Sequence, residues 1–123
     1  IDSLKVLPTL TLSNAGEMRL PLQWIALLHG RLKASLGATR GVETAVEVIK
    51  YLLAGADAVM TTSSLLRKGP QYTATLVTGL ESWMEEHGFQ SVEDMKGLLS
   101  HAKVSDPLPL ERANYIRVLE SYR

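Results

Sequence analysis

The chain has no cysteine, a single phenylalanine among 123 residues, and no excess charge of either sign. Without cysteine, a disulfide scaffold, a thiolate nucleophile and every cysteine-ligated metal site are excluded. Thirteen Lys and Arg balance thirteen Asp and Glu, so the basic surface typical of proteins that bind nucleic acids or anionic membranes is not expected. No apolar run reaches transmembrane length and no secretory leader is visible. These absences predict a cytoplasmic protein with no nucleic-acid or membrane partner.

The remaining composition is typical of a globular domain, with 46% hydrophobic and 21% charged residues. Alternating Thr and Leu in Thr9–Leu12 predicts a half-buried strand, paired with Leu4–Leu7 across Pro8 in an edge hairpin. Further strands are expected at 32–38 and, buried, at 58–61. Apolar spacing predicts helices over 21–29, from Thr44 to Gly55, over 72–88, from a Ser91–Asp94 capping box to Gly97, and over 111–122.

Helices and strands alternate over residues 18–61, which predicts a parallel sheet, because parallel strands need crossover connections that are usually helical. We expect strands 33–38 and 58–61 to be adjacent, joined by the helix that starts near Thr44. Backbone N–H groups near Gly41 and Ser63 would then converge at helix starts on one anion-sized space. The alternative interpretation is that Gly41 only makes a tight turn and that Thr62–Ser64 only cap a helix.

Other polar residues carry weaker signals. His29, His87 and His101 do not share the i, i+4 spacing of a helical metal site, so we predict no metal and place them at helix ends or on the surface. Trp24 and Trp83 lie on apolar helical faces and are expected to pack in the core. No spacing indicates a catalytic triad, and no catalytic residue is predicted.

Three stretches resemble a known family. The sequence LLAGADAVMTTSSLLRKGP at 52–70, within a similar region that begins at Gly41, resembles the C-terminal part of the dihydroorotate dehydrogenases. WMEEHGF at 83–89 and SVEDMKG at 91–97 are similar to the tail of the dihydroorotate and dihydropyrimidine dehydrogenase group, and the similarity covers most of residues 12–122. The resemblance implies a flavoprotein oxidoreductase of pyrimidine metabolism that uses FMN, of which this chain is a fragment.

The resemblance also implies a cofactor site. In the family, a Gly-Gly pair after the seventh strand and a Gly-Thr or Gly-Ser pair after the eighth bind the flavin phosphate. These pairs fall on Arg40-Gly41 and Thr62-Ser63, and an earlier Ser-Gly element falls on Ala15-Gly16. Arg40 and Thr62 stand where the family has glycine, and the family's catalytic residues have no counterpart in this chain. The implied cofactor-binding residues are Gly16, Arg40, Gly41, Thr62 and Ser63.

The implied fold class is α/β, the C-terminal portion of a (β/α)8 TIM barrel with a helical C-terminal extension. Residues 1–88 would form the partial barrel and residues 89–123 the extension. The implied function is to contribute FMN phosphate-binding loops to a dihydroorotate dehydrogenase-like oxidoreductase, the chain alone being inactive. The alternatives are a divergent non-catalytic barrel remnant acting as a structural or interaction module, and a phosphate-binding barrel of other chemistry. Open sheet edges predict association with the rest of the parent barrel or a homo-oligomer.

Overall fold

A computed structural model of the chain describes residues 10–103. After a 3-10 turn at Ala15–Met18, the elements are α1 (Arg19–Leu28), β1 (Gly37–Ala38), α2 (Ala45–Ala54), β2 (Ala58–Val59), α3 (Ser63–Lys68), α4 (Tyr72–Glu86) and α5 (Val92–Met95). The strand predicted at Leu4–Leu7 and the helix predicted at 111–122 lie outside the described residues.

The two strands pair in parallel, with Gly37 opposite Ala58 and Ala38 opposite Val59, and α2 makes the crossover between them. The predicted parallel pairing and its helical connection are therefore confirmed, and the described part of the chain is mixed α/β with a small parallel sheet. Both strands are shorter than predicted, because within residues 10–103 each has a neighbour on one side only.

The prediction of a strand at 9–12 is wrong for the described residues 10–12, which belong to no helix or strand. The carbonyl oxygens of Leu12 and Ser13 accept hydrogen bonds from the Arg67 guanidinium instead of from a neighbouring strand.

Helix α2 has strong start and stop signals. Its N-cap Thr44 accepts a hydrogen bond from the Val46 N–H, and the Glu47 carboxylate accepts bonds from the Thr44 N–H and hydroxyl. Burial acts to raise the pKa of Glu47, but the hydrogen bonds from Thr44 outweigh it and the pKa lies below its ordinary value. At the other end, Gly55 has φ of 114°, a left-handed cap that favours glycine.

The core forms around α2 as two apolar clusters. One joins α2 to α1 and the sheet, with Tyr51 fully buried. The other joins α2 to α4 and α5, where Ile49, Leu52 and the fully buried Met95 meet. Trp83 packs against this second cluster, as its position on an apolar face predicted.

Two expectations about burial are wrong. Trp24 is 54% exposed, and the predicted buried strand has Ala58 and Met60 exposed. Ala38 in β1 is buried while its neighbour Gly37 is exposed, so within the described residues one face of the sheet is covered and the other is open. Alternation of this kind gives half-buried strands, whereas a strand covered on both faces would be buried throughout.

The His29 ring fills the space between two tight turns. Its Nδ1 lies 3.1 Å from the Gly55 carbonyl oxygen, and a Cβ at either Gly55 or Gly97 would overlap the ring. His29 follows the last residue of α1 and is its C-cap. The predicted helix-end role is confirmed, and the ring fixes the C-terminal end of α2 against the turn after α5.

Asp57 aligns the start of β2 with β1. Its carboxylate accepts hydrogen bonds from the Leu36 N–H, at 2.7 Å, and from Lys96 Nζ, at 3.0 Å. These bonds, first that from Leu36 and then that from Lys96, hold the pKa of the carboxyl below its ordinary value of 3.8. Since the folded pKa is the lower one, the carboxylate stabilises the fold above the unfolded value and this contribution is lost as pH falls through the folded pKa.

We therefore expect Asp57→Asn to lose less stability than the wild type between pH 7 and pH 3, as measured by urea unfolding at each pH. Glu81→Gln is the control, because the Glu81 side chain is exposed and makes no hydrogen bond or ion pair within residues 10–103. Its free energy of unfolding at pH 7 should lie within about 0.5 kcal/mol of that of the wild type. An Asp57→Asn curve parallel to the wild type would contradict the prediction.

Candidate functional site

An open cleft of about 230 Å³ lies at the carboxyl ends of β1 and β2. Two of its walls are the loops that follow the strands, which were predicted to come together there. The third wall is the segment 10–13, whose part in the cleft the sequence analysis missed. The lining residues are Leu10, Thr11, Leu12, Ser13, Thr39, Arg40, Val42, Met60, Thr61, Thr62, Ser63 and Leu66.

The three walls meet at the Ser13 hydroxyl. Ser13 Oγ lies 2.8 Å from Ser63 Oγ and accepts a long, 3.5 Å hydrogen bond from the Gly41 N–H. Ser63 is 7% exposed, so its hydroxyl has little access to bulk water. A backbone N–H and a buried hydroxyl thus converge on one oxygen atom, an arrangement that could also bind an oxygen of an anion.

The loop after β1 makes two consecutive left-handed residues, Arg40 with φ of 77° and Gly41 with φ of 68°. This conformation favours glycine at both positions, and Arg40 adopts it at a cost of about 1 kcal/mol. Arg40 Nη2 pairs with Glu17 Oε2 at 2.6 Å, so the positive charge of Arg40 is balanced by a carboxylate of the same chain. At Gly41, a Cβ would lie 2.8 Å from the Met18 backbone nitrogen. The tight turn that the sequence allowed as an alternative is therefore present.

The side chain of the fully buried Tyr51 is hydrogen-bonded to the backbone of this loop. Its hydroxyl is shared between the carbonyl oxygens of Thr39, at 3.0 Å, and Arg40, at 2.9 Å. Burial raises the pKa of Tyr51, and the Arg40 charge opposes the rise without cancelling it. The hydroxyl therefore stays protonated and donates to the loop at neutral pH.

Tyr51→Phe is expected to lower the free energy of unfolding by about 1–2 kcal/mol, because two loop carbonyls lose a buried donor while the ring still fills its place. Tyr72→Phe is a matched control: its hydroxyl donates to one carbonyl, that of Glu43, at 3.1 Å and from a less buried ring. Urea unfolding should show the smaller loss for Tyr72→Phe. Equal losses would show that Tyr51 does not hold the loop.

Two side chains tie the second loop to the rest of the site. The Thr61 hydroxyl donates to the Val42 carbonyl oxygen at 3.0 Å and lies 2.6 Å from Ser64 Oγ, which joins the two strand-end loops. Arg67 in α3 donates to the Ser13 carbonyl oxygen at 2.8 Å and pairs with Glu43 at 3.1 Å. The segment 10–13 is thereby attached to α3.

The structure brings together some of the residues predicted for the cofactor and not others. Gly41 and Ser63 share the Ser13 oxygen, and Arg40 and Thr62 line the same cleft. Neither Gly16 nor Gly41 is among the residues that line it. The Gly16 N–H donates to Asn14 Oδ1 at 3.0 Å in the adjoining 3-10 turn, and Gly41 is connected to the cleft through its N–H contact with Ser13.

The N-terminus of α2, whose backbone N–H groups were expected to help bind an anion, is already occupied by a side chain of the same helix. The Glu47 carboxylate accepts hydrogen bonds from Thr44 at the start of that helix, and a second negative group there would be repelled. Helix α3 has only six residues. The dipole of a long helix therefore does not assist anion binding in the cleft, and the Gly41 N–H and the Ser63 hydroxyl are the donors that meet at one point.

Residues 10–103 include no group of three or more His, Asp or Glu side chains placed to hold a metal ion. No helix in the same range combines the length and apolarity needed to cross a membrane.

Comparison with known proteins finds similarity to dihydroorotate and dihydropyrimidine dehydrogenases. Dihydroorotate dehydrogenase B (NAD(+)), catalytic subunit, of Pyrococcus furiosus is 29% identical over 86 residues, 70% of this chain and 29% of that protein. The Pelobacter propionicus protein of the same description is 37% identical over 60 residues, 48% of this chain and 19% of its own. Chloroplastic dihydropyrimidine dehydrogenase (NADP(+)) of Arabidopsis thaliana is 29% identical over 63 residues, 51% of this chain and 15% of its own.

These matches confirm the resemblance to dihydroorotate and dihydropyrimidine dehydrogenases, which is distant and partial. The chain spans less than a third of the length of each of these relatives. No family model matches the chain.

Proposed function

We propose that this chain is part of a dihydroorotate dehydrogenase-like flavin oxidoreductase of pyrimidine metabolism and supplies loops that bind the phosphate of FMN. The observation that carries the proposal is the meeting of the Gly41 N–H and the Ser63 hydroxyl at one point, where the two parallel strands end. Resemblance to the dehydrogenases supports the choice of cofactor. The parallel pairing suits the last units of a TIM barrel, in which such loops commonly bind phosphate.

The residues of the cleft fit the phosphate end of FMN. A backbone N–H and a neutral hydroxyl are ordinary phosphate donors, and the cleft volume of about 230 Å³ lies below the 300–1,000 Å³ typical of sites that enclose a whole small molecule. The flavin ring, when bound, supplies hydride transfer, and it would lie against parts of the complete protein beyond this cleft. The role of this chain would be to bind and orient the cofactor.

A comparison of FMN with riboflavin tests the proposal, because the two share the ring and the ribityl chain and differ in the phosphate. We expect phosphate contacts to make FMN bind at least tenfold more tightly, as followed by flavin fluorescence and by the amide shifts of Gly41 and Ser63. Inorganic phosphate should shift the same amides. Equal binding of FMN and riboflavin, with no response to phosphate, would contradict the proposal.

A second candidate function is a non-catalytic structural or interaction module. Specific contacts favour it: Arg40 is paired with Glu17, and the Ser63 hydroxyl is bonded to Ser13. Polar groups near the predicted site are thus already satisfied within the chain. A bound yellow chromophore in the purified complete protein would favour the flavoprotein, and a colourless protein that gains no flavin on incubation with FMN would favour the module.

We also propose that the sheet of this chain pairs with a further strand, from the rest of the parent barrel or from a second copy. Within residues 10–103, β1 and β2 each have an unpaired edge, and Met60 beside them is 53% exposed. Light scattering of the 123-residue chain at micromolar concentration should show a dimer or larger species. A stable, cooperatively melting monomer would contradict this proposal.

A further inference from the structure

We propose that the Ser13 hydroxyl is a built-in competitor for the phosphate site and makes the site selective for ligands with charged phosphate oxygens over ligands with neutral oxygens. It occupies the point at which the Gly41 N–H and the Ser63 hydroxyl meet, so a ligand phosphate binds there only after the Ser13 hydroxyl has turned away. This inference rests on the proposed function, since it concerns the same site.

Competition follows from the number of protons available. A backbone N–H carries one proton, so the Gly41 N–H cannot donate to Ser13 and to a ligand oxygen at full strength together, and the same holds for the Ser63 hydroxyl when it donates to Ser13. In either direction of the serine bond, Ser13 Oγ occupies the position beside Ser63 that a ligand oxygen would take. The 2.8 Å contact between Ser13 and Ser63 is a well-formed hydrogen bond, whereas the 3.5 Å contact with Gly41 is weak. Whichever hydroxyl donates, the bond between Ser13 and Ser63 is therefore the stronger of the two contacts that a ligand must break.

Ser13 can withdraw without unfolding the segment around it. Arg67 holds this segment through the backbone carbonyl oxygens of Ser13, at 2.8 Å, and Leu12, at 3.3 Å, and it does not bond to the Ser13 hydroxyl. Rotation about χ1 moves the hydroxyl to another staggered position while the backbone stays attached to α3. The same attachment returns the hydroxyl to Ser63 when no ligand is present.

Selectivity follows from the difference in strength between a hydrogen bond to a charged phosphate oxygen and one to a neutral oxygen. A bond to a phosphate oxygen is charge-assisted and is roughly twice as strong as one between neutral groups. A phosphate can therefore displace the Ser13 hydroxyl, whereas a ligand that offers only a neutral hydroxyl or carbonyl competes on equal terms and gains little. This separates FMN from riboflavin more sharply than an open site would.

Two variants that break the same hydrogen bond test the competition. Ser13→Ala frees the Ser63 hydroxyl and should bind inorganic phosphate and FMN about fivefold more tightly than the wild type. Ser63→Ala frees the Ser13 hydroxyl but removes the donor, and it should bind both about fivefold more weakly. Ser13→Thr keeps a hydroxyl at this position and should retain the wild-type affinity. Amide shifts of Gly41 and FMN fluorescence report binding, and circular dichroism checks that each variant is folded.

The outcomes are separable. Equal effects of Ser13→Ala and Ser63→Ala would show that the hydroxyl pair is only structural, and weaker binding by Ser13→Ala would show that Ser13 is itself a ligand donor. Either result overturns the competition and leaves the proposed function standing, provided that the wild type binds phosphate. If neither the wild type nor Ser13→Ala responds to phosphate or FMN, the proposed function itself fails.

Discussion

Replacing Gly41 with alanine is expected to lower the free energy of unfolding by about 3 kcal/mol, as measured by urea denaturation at pH 7. Two costs add. The residue has φ of 68°, where an L side chain is strained, and its Cβ would lie 2.8 Å from the Met18 nitrogen and 3.0 Å from the Asn14 carbonyl oxygen. Both of these are backbone atoms of the adjoining turn, so the overlap is relieved only by moving that turn away from the cleft.

Gly88→Ala separates the two costs. Gly88 has φ of 74°, similar to that of Gly41, but no heavy atom lies within 4 Å of the position its Cβ would take. We expect a loss of about 1 kcal/mol from backbone strain alone. If both variants lose the same amount, close packing of the turn against Gly41 contributes nothing and the account of the loop is wrong.

The Gly41 result also bears on how the proposed phosphate site can be tested. A substitution at Gly41 disturbs the turn at 14–18 before it changes any contact with a ligand, so a loss of flavin there would not separate binding from folding. Substitution of Ser63 or Ser13 removes one oxygen atom and leaves the backbone in place. These two serines are therefore the appropriate positions for binding experiments.

Met95→Ala is expected to cost about 3 kcal/mol of stability. The side chain is fully buried and packs in the second apolar cluster with Ile49 and Leu52, so its removal leaves a cavity between α2 and α5. Leu99→Ala is the control in the same part of the chain, since Leu99 is 62% exposed, and its loss should stay below about 1 kcal/mol.

This pair of variants also tests the predicted division of the chain at residue 88. The Gly97 N–H donates to the Leu52 carbonyl oxygen at 3.0 Å, so the turn after α5 is bonded to α2 as well as packed near it. A single unfolding transition that shifts as a whole in Met95→Ala would place residues 92–97 in the same cooperative unit as α2. A separate transition, or a loss no larger than that of Leu99→Ala, would support an independent extension.

Local signals in the sequence predicted the helices well. The predicted capping box of Ser91 with Asp94 opens α5, and α2 begins at Thr44 as predicted, with a capping box to Glu47 that the structure adds. These starts were predictable because each N-cap bond joins residues three apart or fewer. Gly55 and Gly88 take the left-handed conformations expected near helix ends. The strands were predicted less well, because strand length depends on distant partners, and β1 was reduced from 32–38 to Gly37–Ala38.

For the site, the sequence indicated which loops would meet but not what they would contact. Gly41 and Ser63 follow consecutive parallel strands, and that order alone places both loops at one edge of the sheet. Ser13 lies 28 residues before Gly41 and 50 before Ser63, and no periodicity links them. Its contact exists because Arg67, far along the chain, holds the carbonyl oxygens of Leu12 and Ser13.

The sequence by itself determined the helix ends, the parallel crossover and the resemblance to the dehydrogenases, because each depends on neighbouring residues or on their order. Only the tertiary structure decided that Arg40 forms an ion pair with Glu17, that Trp24 is exposed, and that Ser13 lies between the two loops. These features arise where segments distant in the chain compete for the same donors and the same space, and that competition is resolved only when the segments are packed together.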